Sequence, residues 1–257
     1  MTGTAAPIQR AKAPDESDAA APGSAARLVV EKLSVNRAHL PVVREVDLVV
    51  DRGSISVLLG SNGAGKTTFL EGLSGVIPVA GGRVALDGLE LQKARPGVRA
   101  RAGIAHVEQG RTVFRHLTTD ENLRVGADVA SSLDWVYELF PELLQRRHVR
   151  AGLLSGGEQQ MLVIARALLC KPKVLLVDEM SAGLAPIVVT KLMKTVRELA
   201  DRGLAVLLVE QFAALALSIG DRAYVLRRGR MVFAGGCAEL RGDNQRLHQL
   251  YLGTGAG

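Results

Sequence analysis

The sequence predicts an α/β fold: a mixed but mostly parallel core sheet, an antiparallel β portion ahead of it, and an α-helical segment inserted within it. Three observations carry this expectation. Ile55 to Leu59, Val174 to Val177 and Ala205 to Glu210 are short, almost wholly apolar runs, as strands covered on both faces by helices are. Helix-like stretches alternate with them. From Thr112 to about Ala151 the pattern turns helical, with no strand signal. With 257 residues and 47% hydrophobic content, the chain can bury one large core with an inserted subdomain.

In chain order, residues 1–26 mix Ala, Pro, Gly, Ser and both charge signs with few large apolar side chains, and predict a disordered tail. The remaining 27–257 form one domain, with a helical subdomain at about 112–166. Arg27 onward alternates as LVVEKLSV and VVREVDLVV, which predicts antiparallel strands with one wet face. Pro78 to Gly82 is expected as a loop, followed by a strand at Arg83–Leu86 and a helical stretch at Lys93–Ala102 split by Pro96 and Gly97. Ile104–Val107 reads as a core strand ending at Glu108-Gln109. In the insertion, Thr118-x-x-Glu121 has the form of a capping box, and Leu133, Val136, Tyr137 and Phe140 lie on one helical stripe. Helices are expected at Met161–Leu169, Pro186–Arg202 and Phe212–Ile219, and a hairpin at Tyr224–Phe233.

The net charge of +6 does not by itself specify a partner. Arginines gather at Arg95, Arg99, Arg101, Arg111 and Arg115 and again at Arg146, Arg147 and Arg150, which suggests a solvated or docking surface. Aromatics at 4% leave little to stack bases, so no nucleic-acid partner is expected. Cys170 and Cys237 have no metal-ligand spacing. No apolar run approaches the roughly 20 residues of a membrane helix, and no signal-peptide pattern is seen, so a cytosolic chain is expected.

The chemistry centres on Gly60-Ser61-Asn62-Gly63-Ala64-Gly65-Lys66-Thr67-Thr68, between an apolar strand and a helix. The spacing G-x-x-x-x-G-K-[ST] suits a polyphosphate, because the glycines let backbone N–H groups converge on the anion at the positive end of a helix. Lys66 would reach the β- and γ-phosphates and Thr67 would ligate Mg²⁺. Asp178, at the end of a buried strand, is a second Mg²⁺ ligand, and Glu179 can polarise the attacking water. Leu154-Ser155-Gly156-Gly157-Glu158-Gln159-Gln160 opens another helix with a hydroxyl and free N–H groups, a second phosphate site. Two such starts about ninety residues apart suggest that each completes a site on a different copy.

Phosphate loop, Gln109 after a strand, LSGGEQQ, VLLVDE and the following loop, in that order over nearly all of residues 27 to 252, resemble the ATP-binding subunit of ABC transporters, with its P-loop NTPase core. AGLLSGGEQQM, SAGLAP, WVYELFP and LLVEQ are similar to the ATPases of branched-chain amino acid and related amide importers. The resemblance implies ATP and Mg²⁺ as cofactors and two subunits, identical or sister chains, sandwiching two nucleotides. Each nucleotide would be bound by Lys66 and its neighbours on one copy and by Ser155, Gly156, Gly157 and Glu158 of the other. Gln109 would sense Mg²⁺ and water, Gln211 would stand in for a switch histidine, and Arg37 would occupy the place of an adenine-stacking aromatic. The implied location is the cytoplasmic face of the membrane, on transmembrane permease subunits docked through the helical insertion, with a substrate-binding protein acting indirectly. Met180 and Ala185 depart from the wider family's Pro and Asp. Rival readings are a related ATPase acting on DNA or ribosomes, and a nucleotide switch that hardly hydrolyses.

Overall fold

The computed structural model describes residues 27–125 and 132–252; the expected tail at 1–26 and part of the expected helical insertion lie outside them. Strands β1 (Arg27–Arg37) and β2 (Leu40–Asp51) pair antiparallel through a turn at Ala38 and His39, both at positive φ. β3 (Ile55–Leu59) runs into the phosphate loop and α1 (Lys66–Ser74). β4 (Val79–Leu86) and β5 (Leu89–Glu90) complete an antiparallel sheet in the order β2-β1-β4-β5. After α2 (Pro96–Ala102) and β6 (Ile104–Val107) come α3 (Thr119–Arg124), α4 (Asp134–Leu139), α5 (Pro141–Gln145) and α6 (Gly156–Leu169). The chain then alternates through β7 (Val174–Asp178), α7 (Pro186–Asp201), β8 (Ala205–Val209) and α8 (Ala213–Ile219). It ends with the hairpin β9 (Arg222–Arg227) and β10 (Arg230–Gly236), and α9 (Asn244–Leu252).

The second sheet has the order β10-β9-β3-β8-β7-β6, parallel except for β10. Every residue of β3, β7 and β8 is buried, and the pleat sends alternate side chains into two cores. Val57, Leu59, Leu175, Val177, Val206 and Leu208 pack with Ile164, Leu192 and Leu217 from the helices of one face. Leu58, Leu176, Leu207 and Val209 pack instead with Phe69, Leu70 and Leu73 of α1 and with Leu28, Val30 and Val50 of the antiparallel sheet. At roughly 2 kcal/mol per fully buried large aliphatic side chain, these two layers hold the core sheet rigid, and the site is built along its edge.

Two expectations are corrected. Pro78–Gly82 is not a loop: β4 begins at Val79 and pairs with β1 through a register shift between Glu31 and Ser34. Gly82 is needed there, since at φ 89° an added Cβ would lie 2.3 Å from the Lys32 carbonyl oxygen. The stretch at 93–102 is not split either; α2 starts at Pro96, whose missing N–H costs nothing in the first turn. The capping box at Thr118 and Glu121 forms in full, and Leu133, Val136, Tyr137 and Phe140 are all buried.

Candidate functional site

Four parallel strands adjoin in the order β3-β8-β7-β6, so their C-terminal ends share one sheet edge. The phosphate loop follows β3, Gln211 follows β8, Asp178 ends β7 with Glu179 directly after it, and Gln109 follows β6. Sheet order alone therefore gathers residues spread over more than a hundred positions of sequence.

In the loop, Ala64 N–H donates to the Ser61 carbonyl at 3.1 Å, and the Ala64 carbonyl accepts from Gly229 N–H at 2.9 Å. Gly60 admits no side chain, because a Cβ would lie 2.4 Å from the Leu226 carbonyl oxygen. Gly65, at φ 106°, begins α1 with no side-chain cap, so the first N–H groups of that helix remain for an anion. Ser61, Asn62, Gly63 and Thr67 are exposed around this opening, whereas Ala64 and Thr68 are buried. Lys66 is 5% exposed and donates to the carbonyls of Gly60 (2.8 Å) and Ser61 (3.3 Å), with Glu179 at 3.7 Å.

Glu179 accepts from the Gln109 amide at 2.8 Å and so meets both Gln109 and Lys66. Its backbone is left-handed at φ 46°, a conformation that costs a non-glycine residue about 1 kcal/mol or more. A bond from Glu179 N–H to the Val209 carbonyl, at 2.9 Å, holds it there. Asp178 is 1% exposed, and neither carboxylate oxygen makes a well-formed hydrogen bond. Burial pushes its pKa up, and the adjacent Thr67 hydroxyl offsets part of that. A buried, under-coordinated carboxylate beside an exposed threonine hydroxyl is a hard oxygen donor set that fits Mg²⁺.

The second helix start differs. Ser155 caps α6, its hydroxyl accepting from Glu158 N–H at 3.3 Å while Glu158 accepts from Ser155 N–H at 2.8 Å. Gly156 leaves room for Arg111, since a Cβ there would lie 2.6 Å from its guanidinium, and Gly157 lies against Val188. α1 packs on β1, β2, β6 and β7, whereas α6 packs on α3, α5, α7 and β6. Ser155 itself is exposed.

Arg37 ends β1 exposed and paired with Glu71 of α1, and Gln211 is exposed at the end of β8. Among the arginines read as surface, Arg99 is a correction. It is 2% exposed, and its guanidinium donates to the carbonyls of Gly72, Leu73, Gln92 and Ala94, closing the C-terminal end of α1. Arg146 pairs with Glu158, and Arg147 with Asp120. Arg111, expected only as part of a basic surface, donates to the Ala182 carbonyl at 2.5 Å, and sequence reasoning missed the buried pair Ser181 and Glu210. Glu210 had one visible sign: a carboxylate closing an otherwise apolar strand.

A family description, ABC transporter, matches residues 43–182. The high-affinity branched-chain amino acid transport ATP-binding protein BraG of Pseudomonas aeruginosa is 43% identical over 232 residues, covering 88% of this chain and 99% of that protein. A probable branched-chain amino acid transport ATP-binding protein, LivF of Archaeoglobus fulgidus, is 38% identical over 86% of this chain and 97% of its own length. A crystal structure of a nucleotide-free ATP-binding cassette from an ABC transporter matches with TM-score 0.78 at 23% identity, over 89% of this chain and all of the other. The family match and these relatives together show that the chain belongs to the ABC transporter family, as one of its ATPase subunits.

Proposed function

We propose that this subunit powers an importer of branched-chain amino acids or related amides, working as a dimer on permease subunits at the cytoplasmic face of the membrane. The meeting of Lys66, Glu179 and Gln109 at one sheet edge carries the hydrolytic part of this reading. The 43% identity with BraG across nearly the whole chain supports the solute class. Among the described residues no helix is long and apolar enough to cross a membrane, in keeping with a channel supplied by other chains.

ATP enters the phosphate loop, and Lys66 exchanges its carbonyl partners for phosphate oxygens, which satisfy an ammonium better than neutral carbonyls do. Thr67 and Asp178 would hold Mg²⁺, which neutralises charge building on the phosphate oxygens. Glu179 accepts a proton from the attacking water while Gln109 orients that water, and Gln211 donates its amide N–H to the γ-phosphate. Ser155 and Gly157 present a hydroxyl and an N–H to the nucleotide bound by the partner copy. Vesicles holding the full transporter should take up leucine, isoleucine and valine on ATP, and the Glu179→Gln subunit should abolish that uptake. Normal uptake with Glu179→Gln would refute the hydrolytic assignment; ATP-driven uptake of none of the three would refute branched-chain amino acids as the solute.

A further inference from the structure

The carboxylate of Glu210 is fully buried directly after β8, and among the described residues its hydrogen-bond donors include no cation. It accepts from Ser181 N–H at 3.1 Å and from the Ser181 hydroxyl, and the Gln211 backbone N–H also turns toward it. A buried carboxylate without a cation partner is a poor way to stabilise a core, where an apolar side chain of that size would do better. Its partners suggest a different use. Ser181 is 3% exposed and lies two residues beyond Glu179, whose own N–H is held by the Val209 carbonyl. Val209, the last residue of β8, and Glu210 just beyond it therefore grip the segment leaving β7 twice, at Glu179 and at Ser181. On the far side Arg111 holds Ala182. The left-handed Glu179 can persist only while such contacts over-determine it.

We propose that Glu210 is a positioning residue for hydrolysis: through Ser181 it fixes the backbone that aims Glu179, and through its chain neighbour it fixes Gln211, so that proton acceptor and amide keep one spacing. The inference rests on Glu179 being the carboxylate that takes the proton from water. Loosening the grip displaces Glu179 from the water it must meet, while the phosphate loop on β3, which binds the nucleotide, is left in place. A misplacement of this kind lowers kcat and leaves KM almost untouched.

Steady-state Mg-ATP turnover of the full chain is measured for Ser181→Ala, Ser181→Thr, Glu210→Gln and, in parallel, Glu179→Gln, with hydrogen exchange of the 180–184 amides. Ser181→Ala and Glu210→Gln should lose about tenfold to a hundredfold in kcat with KM within about twofold. Ser181→Thr, which keeps the hydroxyl, should recover most of the rate. The 180–184 amides should exchange faster in Glu210→Gln than in the unaltered chain. Unaltered kcat in both Ser181→Ala and Glu210→Gln overturns the proposal, whatever happens to their stability; so does a raised KM at intact kcat, or unchanged exchange. Full activity of Glu179→Gln would instead remove the reading on which the proposal stands, and the exchange data would still decide whether Glu210 holds the segment.

Discussion

The two helix starts solve opposite problems. At α1 the first turn has no side-chain cap, its backbone turns on left-handed Gly65, and the nearest cation, Lys66, is 5% exposed and resting on loop carbonyls. At α6 a reciprocal capping box between Ser155 and Glu158 satisfies the N–H groups of those two residues, and Ser155 is exposed. The first leaves its N–H groups for a ligand that comes to it. The second is held in shape by its own side chains, so it can be carried intact to a ligand held elsewhere. The difference accords with the proposed division of roles, in which α1 binds nucleotide and α6 closes on one.

Removing the α1 cation should break the comparison most severely. Lys66→Ala should abolish nucleotide-dependent assembly and reduce turnover by about a hundredfold or more, since the phosphate charge loses its main counter-ion; turnover within tenfold of the unaltered chain would contradict this. The other end of α1 is a matter of stability. Arg99→Ala strips four carbonyls of a buried donor and should cost roughly 3 kcal/mol in urea unfolding. A cost below about 1 kcal/mol would show that water replaces the guanidinium.

At α6 the expected loss is smaller. Ser155→Ala removes one cap bond and should cost about 1 kcal/mol of stability, yet it should also weaken ATP-driven pairing of subunits; pairing unchanged by the substitution would separate Ser155 from the partner's nucleotide. The smallest effect concerns pH. Burial holds the folded pKa of Asp178 above an unfolded value near 4. Its contribution to nucleotide-free stability is therefore fully present below that unfolded value and lost as pH rises through the raised one. Mg²⁺ needs the charged carboxylate, so the rise in Tm on adding Mg-ATP should shrink as pH falls through the same raised value. In Asp178→Asn that pH dependence should vanish; a Mg-ATP effect flat across the acid range in the unaltered chain would remove Asp178 from the metal site.

What could be read in advance follows from how local each signal is. The phosphate loop was legible because its glycines and Lys66 act within nine residues, and β3, β7 and β8 because burial on both faces leaves almost no polar residue in the run. Residues 78–82 misled because Gly81 and Gly82 look like a turn, and only the pairing partner β1 shows that they pass a bulge. Arg99 misled because a charge among other arginines reads as surface, and the four carbonyls that bury it come from α1 and from the segment before α2. Glu210 and Ser181 lie 29 positions apart, and nothing in either neighbourhood names the other.

The comparison turns most directly on whether α6 meets a nucleotide carried by another copy. Sizing the full-length Glu179→Gln chain with and without Mg-ATP, and again with Ser155→Arg added, tests it, since Glu179→Gln should slow hydrolysis by a factor of about 100 or more and so preserve the closed state. The account predicts monomers without nucleotide, dimers with it, and monomers again once Ser155→Arg blocks the α6 start. Monomers of Glu179→Gln that hold Mg-ATP, or dimers indifferent to Ser155→Arg, would contradict it.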